Sequence, residues 1–383
     1  MILRDTFKKR IYRFTLLFCC LVRAVFSGSA RTKPKEIATV IVVLTGKLGD
    51  VVCGTPVLRA LRIHIPKAQI VLAGDGTLQK TLLEHSHLFD AYCDLSEKGV
   101  LKNIRSFHAN AACVTGPSFV PSALLYLAGI PLITAPVVMN GFSPAETRLY
   151  KILQKLLLCF PLEKGAYMPR ERLRALEALG IHTDDTKKQL GFSDEAKLRI
   201  DTFFREQKIE KRDFLIGIST SAGNRIKEWP IERFVEIVDY LMSTYKVKVV
   251  VFGGKDDSAR VDLVINGSRY KESLVNTQGL FSLDELKACM SRLALFISVD
   301  TGPIYIAEAF SVPTIDIIGP MDEHEQPPRG ALHRVIVPQR TKPELSVLNA
   351  RMYNREEAQR QTESITSAMV IEEIDSLLAV LKK

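Results

Sequence analysis

The chain has 383 residues, of which 46% are apolar and 25% charged, with 22 Gly and 18 Pro. This composition is that of a globular protein and excludes fibrous and disordered classes, while the length argues for two domains. No stretch approaches the roughly 20 uninterrupted apolar residues that a membrane-spanning helix needs, which excludes a multi-span membrane protein.

The net charge of +9 is concentrated at one end of the chain. Residues 1–35 carry nine Lys and Arg against one Asp, a net +8, which leaves +1 for residues 36–383. Nucleic-acid binding needs a basic footprint across the fold, so the nearly neutral body argues against nucleic acid as a partner. The seven cysteines are scattered and lack the spacing of a zinc site, so we interpret them as core residues of a protein in a reducing compartment.

Residues 1–35 predict a basic amphipathic segment. Arg4, Lys8 and other bases lie off a stripe of apolar residues that recur at steps of three and four: Leu3, Phe7, Ile11, Phe14, Phe18, Leu21 and Val25. This pattern favours a helix that binds an anionic membrane surface through residues 1–30. Two alternatives stay open. One is a secretory signal, with an apolar run at 14–22 and small residues at 27–30; the other is a helix packed on the fold.

From residue 36 onwards, apolar runs rich in β-branched residues alternate with helical patterns, first over 36–190 and again over 191–340. This alternation predicts two doubly wound parallel sheets of the α/β class, with ligands bound in a cleft at the carboxyl ends of the strands. Residues 140–213 show no strand pattern and are expected to be helical, and 341–383 predict helices that pack back on the first domain. The predicted strands are 38–44, 69–73, 91–95, 111–114 and 132–138, then 214–219, 247–252, 274–277, 295–299 and 314–318.

Three loops that follow predicted strands carry residues suited to chemistry. The first contains Gly46, Lys47, Gly49 and Asp50, with glycines that allow close approach of a ligand. Taken alone, an Asp in a turn between a strand and a helix is more often a helix cap than a site residue facing the cleft. The sequence matches neither GxGxxG nor a Walker A loop.

The second loop, 219–230, combines hydroxyl residues with Arg225, Lys227 and the only Trp of the chain. Backbone N–H groups, a helix dipole and two cations suit a diphosphate, although a solvated basic loop with Trp229 as a packing anchor explains the pattern equally well. The third loop starts at Asp300, where Thr301 and Pro303 mark the beginning of a helix with free N–H groups.

Together these motifs are more specific than any one alone. The sequence resembles the ADP-heptose:lipopolysaccharide heptosyltransferase family, glycosyltransferase family 9, over about residues 38–340. The resemblance is carried by Lys47-Leu48-Gly49-Asp50-Val51-Val52 with 55–62, by Lys227-Glu228-Trp229-Pro230, by Ser298-Val299-Asp300-Thr301-Gly302-Pro303, and by Val312-Pro313-Thr314 with Gly319-Pro320.

The resemblance implies a GT-B fold with two Rossmann-like domains facing a cleft, and an inverting glycosyltransferase that uses no cofactor and no metal. It implies transfer of a heptose from a nucleotide-sugar, ADP-heptose, to a lipid-linked glycan acceptor such as the lipopolysaccharide core. The enzyme would be cytoplasmic and peripheral on the inner face of the cytoplasmic membrane. Asp50 would be the general base, with Lys47, Gly49 and Thr55 on the acceptor side. The donor would be bound by Ser221, Arg225, Lys227, Asp300, Thr301 and Gly302, and its ribose by Asp256 or Asp257.

One departure from the family pattern concerns Tyr305, which stands where family members commonly have His. The identity of the donor sugar therefore stays open. A GT-B enzyme with another nucleotide-sugar donor, a sugar epimerase and a non-catalytic nucleotide-sugar-binding protein are the alternatives. The presence of Asp50 favours transfer over epimerisation, because an epimerase has no acceptor hydroxyl to activate.

Overall fold

The fold was analysed in a computed structural model that describes residues 2–381, with side chains described from residue 8 to 381. The chain divides into two compact units, Met1–Lys188 and Gln189–Lys383. Each unit contains one six-stranded sheet.

The first unit alternates strands and helices from residue 39 onwards. Its strands are β1 (Thr39–Val43), β2 (Gln69–Gly74), β3 (Ala91–Asp94), β4 (Ala111–Val114), β5 (Leu132–Met139) and β6 (Leu158–Glu163). Its helices are α1 (Ile2–Ser27), α2 (Leu48–Val52), α3 (Thr55–His64), α4 (Leu78–Leu83), α5 (Val100–Ser106), α6 (Phe119–Ala128), α7 (Arg148–Gln154) and α8 (Met168–Leu173), followed by a 3-10 helix, Arg174–Leu179. All strands pair in parallel, in the order β3-β2-β1-β4-β5-β6.

The second unit repeats this plan. Its strands are β7 (Leu215–Ser219), β8 (Lys248–Phe252), β9 (Val275–Asn276), β10 (Leu295–Val299), β11 (Thr314–Ile317) and β12 (His333–Ile336). Its helices are α9 (Asp194–Glu206), α10 (Ile231–Thr244), α11 (Ser258–Gly267), α12 (Leu283–Met290), α13 (Gly302–Ala309), α14 (Arg355–Ser364) and α15 (Ser367–Leu381), with 3-10 helices at Arg225–Lys227, Lys255–Asp257 and Lys271–Ser273. The strands pair in parallel in the order β12-β11-β10-β7-β8-β9.

The prediction of two doubly wound parallel sheets is confirmed. In each unit the first strand lies next to the fourth, which is the strand order of a Rossmann-type sheet. The central strands β1, β7 and β10 are buried at every position, because helices cover both faces of a parallel sheet.

Both sheets contain a sixth strand that the sequence analysis does not predict. The interpretation of 140–213 as strand-free is wrong, because β6 lies within it. β6 is an edge strand in which Phe160 and Leu162 are buried and the residues between and around them are partly or fully exposed, so it lacks the continuous apolar run of a central strand. β12 is a short edge strand with only Ile336 buried, so its sequence lacks the continuous apolar run of the central strands.

Helix α1 has two apolar faces. Leu16, Leu17 and Cys20 are buried against the core of the first unit, where α1 contacts α6 and α7. The opposite face leaves Ile11, Phe14, Phe18, Leu21 and Val25 exposed. These five residues belong to the predicted stripe, whose members Leu3 and Phe7 lie outside the described side chains. Within residues 2–381, no helix combines the length and apolar character that crossing a membrane requires.

The C-terminal helices complete the core of the second unit. Residues 341–383 are expected from the sequence to pack on the first domain; instead Ile365, Val370, Ile374 and Leu377 belong to the same buried cluster as β7 and β10. α15 contacts α10 and β11. A helix periodicity shows which face is apolar but not which neighbour covers it.

Candidate active site

Asp50 lies at the third position of α2, directly after the carboxyl end of β1. Its Oδ2 accepts a hydrogen bond from the backbone N–H of Lys47 at 3.0 Å. Gly46 makes this turn possible, because its φ of +110° is in the left-handed region and a Cβ there would lie 2.5 Å from Asp50 Oδ2. The local sequence thus aims one carboxylate oxygen back at the loop.

The other carboxylate oxygen is held by a residue 122 positions further along the chain. Arg172, on α8, donates from one guanidinium nitrogen to Asp50 Oδ1 at 3.3 Å and from another to the Asp50 carbonyl oxygen at 2.6 Å. The Arg172 side chain is 10% exposed and that of Asp50 29% exposed. Asp50 therefore has a fixed orientation and a partly accessible carboxylate, and Arg172 is a site residue that sequence analysis missed.

The remaining acceptor-side candidates differ in accessibility. Lys47 is exposed in the loop, and Gly49 is buried inside α2. Thr55 is fully buried, and its hydroxyl donates to the carbonyl of Val52 at 2.7 Å. Thr55 therefore shapes the start of α3, and its acceptor-side role stays a prediction.

In the second unit, two of the predicted donor residues form an ion pair. Lys227 Nζ lies 2.9 Å from Asp300 Oδ2 and also donates to the carbonyl oxygen of Asp300. The side chains are 15% and 4% exposed, so the pair is mostly shielded from water. Tyr305 donates its phenolic hydroxyl to Asp300 Oδ1. The residue that departs from the family pattern is thus a direct partner of the site carboxylate.

Further donors follow the two neighbouring strands β7 and β10, whose ends pair through Ser219 and Ser298. The hydroxyls of Thr220 and Ser221, just beyond β7, are buried without a hydrogen-bond partner among the described residues. Thr301 and Gly302 begin α13 next to Asp300, and the Thr301 side chain makes no capping bond. Hydroxyls and free helix N–H groups beside a lysine are the donors that bind phosphate oxygens.

Asp256 and Asp257 lie in a short 3-10 helix after β8. Asp257 is engaged in the loop itself, since its carboxylate accepts from the backbone N–H of Gly254 at 2.7 Å. The side chain of Asp256 is exposed. Of the two predicted ribose ligands, Asp257 is therefore the one that caps its own turn, and Asp256 is the more exposed.

Arg225 is exposed and lies at the start of the 3-10 helix that ends with Lys227. It lines a cleft of about 610 Å³ on the second unit, together with Trp229, Arg260 and Arg355. Trp229 is fully buried, donates its indole N–H to the Ile365 carbonyl at 2.8 Å, and is therefore a packing anchor. The sequence analysis assigned Arg225 to the same site as Lys227; the structure gives it a different environment.

Within residues 2–381, no group of three or more His, Cys, Asp or Glu side chains is arranged to hold a metal ion. None of the described cysteines forms a disulfide bond, and five of the seven are buried.

Comparisons with known proteins agree with this architecture. Residues 161–351 match the family model of glycosyltransferase family 9 (heptosyltransferase). Lipopolysaccharide heptosyltransferase 3 of Escherichia coli (strain K12) is 24% identical over 283 residues, covering 72% of this chain and 80% of that protein.

Solved structures share the fold. A family 9 glycosyl transferase from Veillonella parvula superposes with a TM-score of 0.72 at 22% identity, covering 92% of this chain and 99% of that one. ADP-heptose lps heptosyltransferase II of Escherichia coli superposes with a TM-score of 0.70 at 19% identity, covering 90% and 100%. Two doubly wound units with this likeness define a GT-B protein. The chain belongs to glycosyltransferase family 9 and is a glycosyltransferase.

Proposed function

We propose that this protein is an inverting glycosyltransferase that moves a heptose from ADP-heptose to the lipopolysaccharide core or a related lipid-linked surface glycan. The observation that carries the proposal is the Asp50 carboxylate, which is held on both oxygens yet remains 29% exposed. The matching curated relative is a lipopolysaccharide heptosyltransferase, which supports the choice of donor sugar and acceptor class.

Asp50 is the general base of the proposed reaction. Its carboxylate takes the proton of the acceptor hydroxyl as that oxygen attacks the anomeric carbon of the donor. The nucleoside diphosphate leaves from the opposite face of the sugar, so a single displacement inverts the configuration. Arg172 keeps the carboxylate oriented, while the exposed Lys47 contacts the acceptor and the buried Gly49 lets the start of α2 pack closely beside it.

The second unit binds the donor in this proposal. Lys227, the hydroxyl of Ser221 and the N–H groups of Thr301 and Gly302 hold the diphosphate and stabilise its charge as it leaves, without a metal. Asp300 contacts the donor sugar and Asp256 the ribose, with Asp257 supporting that loop. Arg225 contributes positive potential from its neighbouring cleft.

We also propose that α1 docks on an anionic membrane at the cytoplasmic face, where a lipid-linked acceptor is found. The proposal is supported by the exposed stripe on α1, which consists of Ile11, Phe14, Phe18, Leu21 and Val25. Soluble monomeric proteins rarely expose so many large apolar side chains side by side unless the surface binds a partner or a membrane. Lys8, Arg10 and Arg13 precede or flank the stripe, and each base near such a surface contributes about 1 kcal/mol.

The proposed reaction is tested by binding and transfer measured separately. Calorimetry with ADP, ADP-heptose and UDP- and GDP-sugars, without divalent metal, should show preference for the adenine nucleotides. Lys227→Ala should weaken ADP binding about 10- to 100-fold, the size of a hydrogen bond to a charged group. Asp50→Asn should retain donor binding and lower kcat about 10²- to 10⁴-fold.

Each outcome assigns a cause. Preference for a UDP- or GDP-sugar would change the proposed donor and leave the general-base role of Asp50 in place. The donor has to be measured because Tyr305, which replaces the His of the family pattern, contacts Asp300 directly. Full transfer activity in Asp50→Asn would refute the general-base role. Absence of binding to every nucleotide would favour a non-catalytic protein.

A further inference from the structure

Asp316, on β11, is a fully buried carboxyl group. Neither of its two oxygens has a hydrogen-bond partner among the described residues. Burial of an unpaired carboxylate is costly, so such a group is retained in its neutral form or near a compensating charge. No motif of the sequence marks this position.

The neighbours of Asp316 belong to the proposed donor site. Strand alternation directs Asp316 away from Ile315 and Ile317, which pack in the core with α15. In the sheet, Asp316 pairs with Ser298, two residues before Asp300. The titratable groups that act on it are Asp300 after β10, Lys227 from the 3-10 helix and Glu308 from α13. Two further titratable groups contact its neighbours: Tyr305 is bonded to Asp300, and His333 of β12 to Thr314 at 2.8 Å.

This environment favours a bound proton. Burial, and then the negative charge of Asp300, raise the pKa of Asp316 well above its ordinary value; Glu308 acts in the same direction and Lys227 opposes them. Asp316 and Asp300 thus both interact with the positive charge of Lys227. An ionised Asp316 would add a second negative charge close to the Lys227–Asp300 pair.

We propose that Asp316 is a proton-holding residue of the donor site, and that binding of a nucleoside diphosphate at Lys227 is accompanied by proton uptake on Asp316 wherever the pH is high enough to ionise Asp316 in the free protein. This inference rests on the proposed role of Lys227. The proton comes from solvent and is held on a carboxyl oxygen, and no other bond forms or breaks. Asp316 acts through Lys227 and Asp300, so it is a positioning residue.

The sign of the effect follows from charge. A bound diphosphate is an anion and favours the neutral form of Asp316. Nucleotide affinity is therefore constant where Asp316 is protonated in the free protein and falls as the pH rises through its ionisation. The fall approaches tenfold per pH unit, the limit for uptake of one proton.

The first experiment is calorimetry of ADP binding to the full-length protein in buffers of different ionisation enthalpy, from pH 6 to 9. The wild type should take up more protons than Asp316→Asn or Asp316→Leu, and the comparison cancels the titration of ADP itself. Asp239→Asn is the matched control, because Asp239 is a buried carboxyl of the same unit that is already paired with Ser268 and Arg269. Equal uptake in wild type and both Asp316 variants would overturn the proposal.

A second experiment needs no ligand. The infrared difference spectrum between wild type and Asp316→Asn at pH 7 should contain the C=O band of a protonated carboxylic acid, whereas the difference with Asp239→Asn should contain a carboxylate band. Absence of the acid band would overturn the proposal, whatever the protein binds. If the acid band is present but the protein binds no ADP, both the coupling of nucleotide binding to proton uptake and the donor role of Lys227 are overturned. If ADP binds but the acid band is absent, only the proposal for Asp316 is overturned and the donor role of Lys227 stands.

Discussion

At the scale of single residues, the candidate site depends on side chains that restrain other side chains. Arg172 contacts both the carboxylate and the backbone carbonyl of Asp50. Tyr305 and Lys227 occupy the two oxygens of Asp300. Carboxylates bonded in this way have few rotamers available, and such preorganisation lowers the entropic cost of reaching a reactive geometry.

Loss of the Arg172 guanidinium should therefore impair chemistry more than donor binding. In Arg172→Ala we expect kcat to fall about 10- to 100-fold, because a misoriented base costs that much. The KM for the donor should change little. Arg174→Ala is the control, since Arg174 pairs with Glu171 at 3.3 Å and contacts neither atom of Asp50 that Arg172 binds. Steady-state kinetics of both variants check the expectation, and equal kcat values would contradict it.

At the scale of elements, α14 and α15 are structural parts of the second unit. The turn between them provides the Ile365 carbonyl that accepts the indole N–H of Trp229. Asp375 of α15 accepts hydrogen bonds from Tyr240 and Tyr245 at 2.7 Å each. The Ile365 bond connects the C-terminal helices to the loop that carries Lys227, and the Asp375 bonds connect them to α10 and its end. The loop that carries Lys227 is thus supported by a segment far away in sequence.

Truncation of one α15 side chain should destabilise this unit. Ile374 is fully buried, and Ile374→Ala should lower the free energy of unfolding by about 2–5 kcal/mol, the cost of a core cavity. Val380→Ala, at a position 54% exposed on the same helix, should change it by less than about 0.5 kcal/mol. The single buried Trp229 reports the transition by fluorescence in denaturant titrations. Similar losses in both variants would argue that α15 is not anchored through Ile374.

At the scale of the whole molecule, the N-terminal segment combines most of the net charge with a stripe of exposed apolar side chains. Residues 1–35 hold a net +8 of the total +9, and α1 presents the exposed stripe. The same helix contributes Leu16, Leu17 and Cys20 to the core of the first unit. Deletion of α1 would thus expose core residues as well as remove the stripe, so point substitutions on the exposed face separate the two effects.

Phe18→Asp combined with Val25→Asp should weaken binding to anionic lipid vesicles by about tenfold or more, because each buried apolar side chain contributes about 1.5–3 kcal/mol. Binding by the wild type should also weaken as the salt concentration rises. Leu198→Asp is the matched control, since Leu198 and Phe18 are both 67% exposed and Leu198 lies on α9. Vesicle cosedimentation measures the effect, and unchanged binding of the double variant would remove α1 as the docking surface.

The sequence by itself determined the class of fold and the loops that carry the candidate site. Central strands such as β1 and β10 are buried on both faces, so their apolar runs are visible in the sequence. Asp50, Lys227 and Asp300 follow predicted strands, and the carboxyl ends of parallel strands are where ligands bind. Local periodicity and turn residues were sufficient for these conclusions.

Only the tertiary structure decided which side chains meet. Residues from separate elements meet in the Asp50–Arg172 contact and in the Trp229–Ile365 hydrogen bond. The burial of Asp316 likewise depends on the elements that cover it. Edge strands β6 and β12 also became visible only through pairing, since half-exposed strands lack a continuous apolar run. The physical reason is that periodicity records which face of an element is apolar, whereas the partner that covers that face is set by packing across the whole domain.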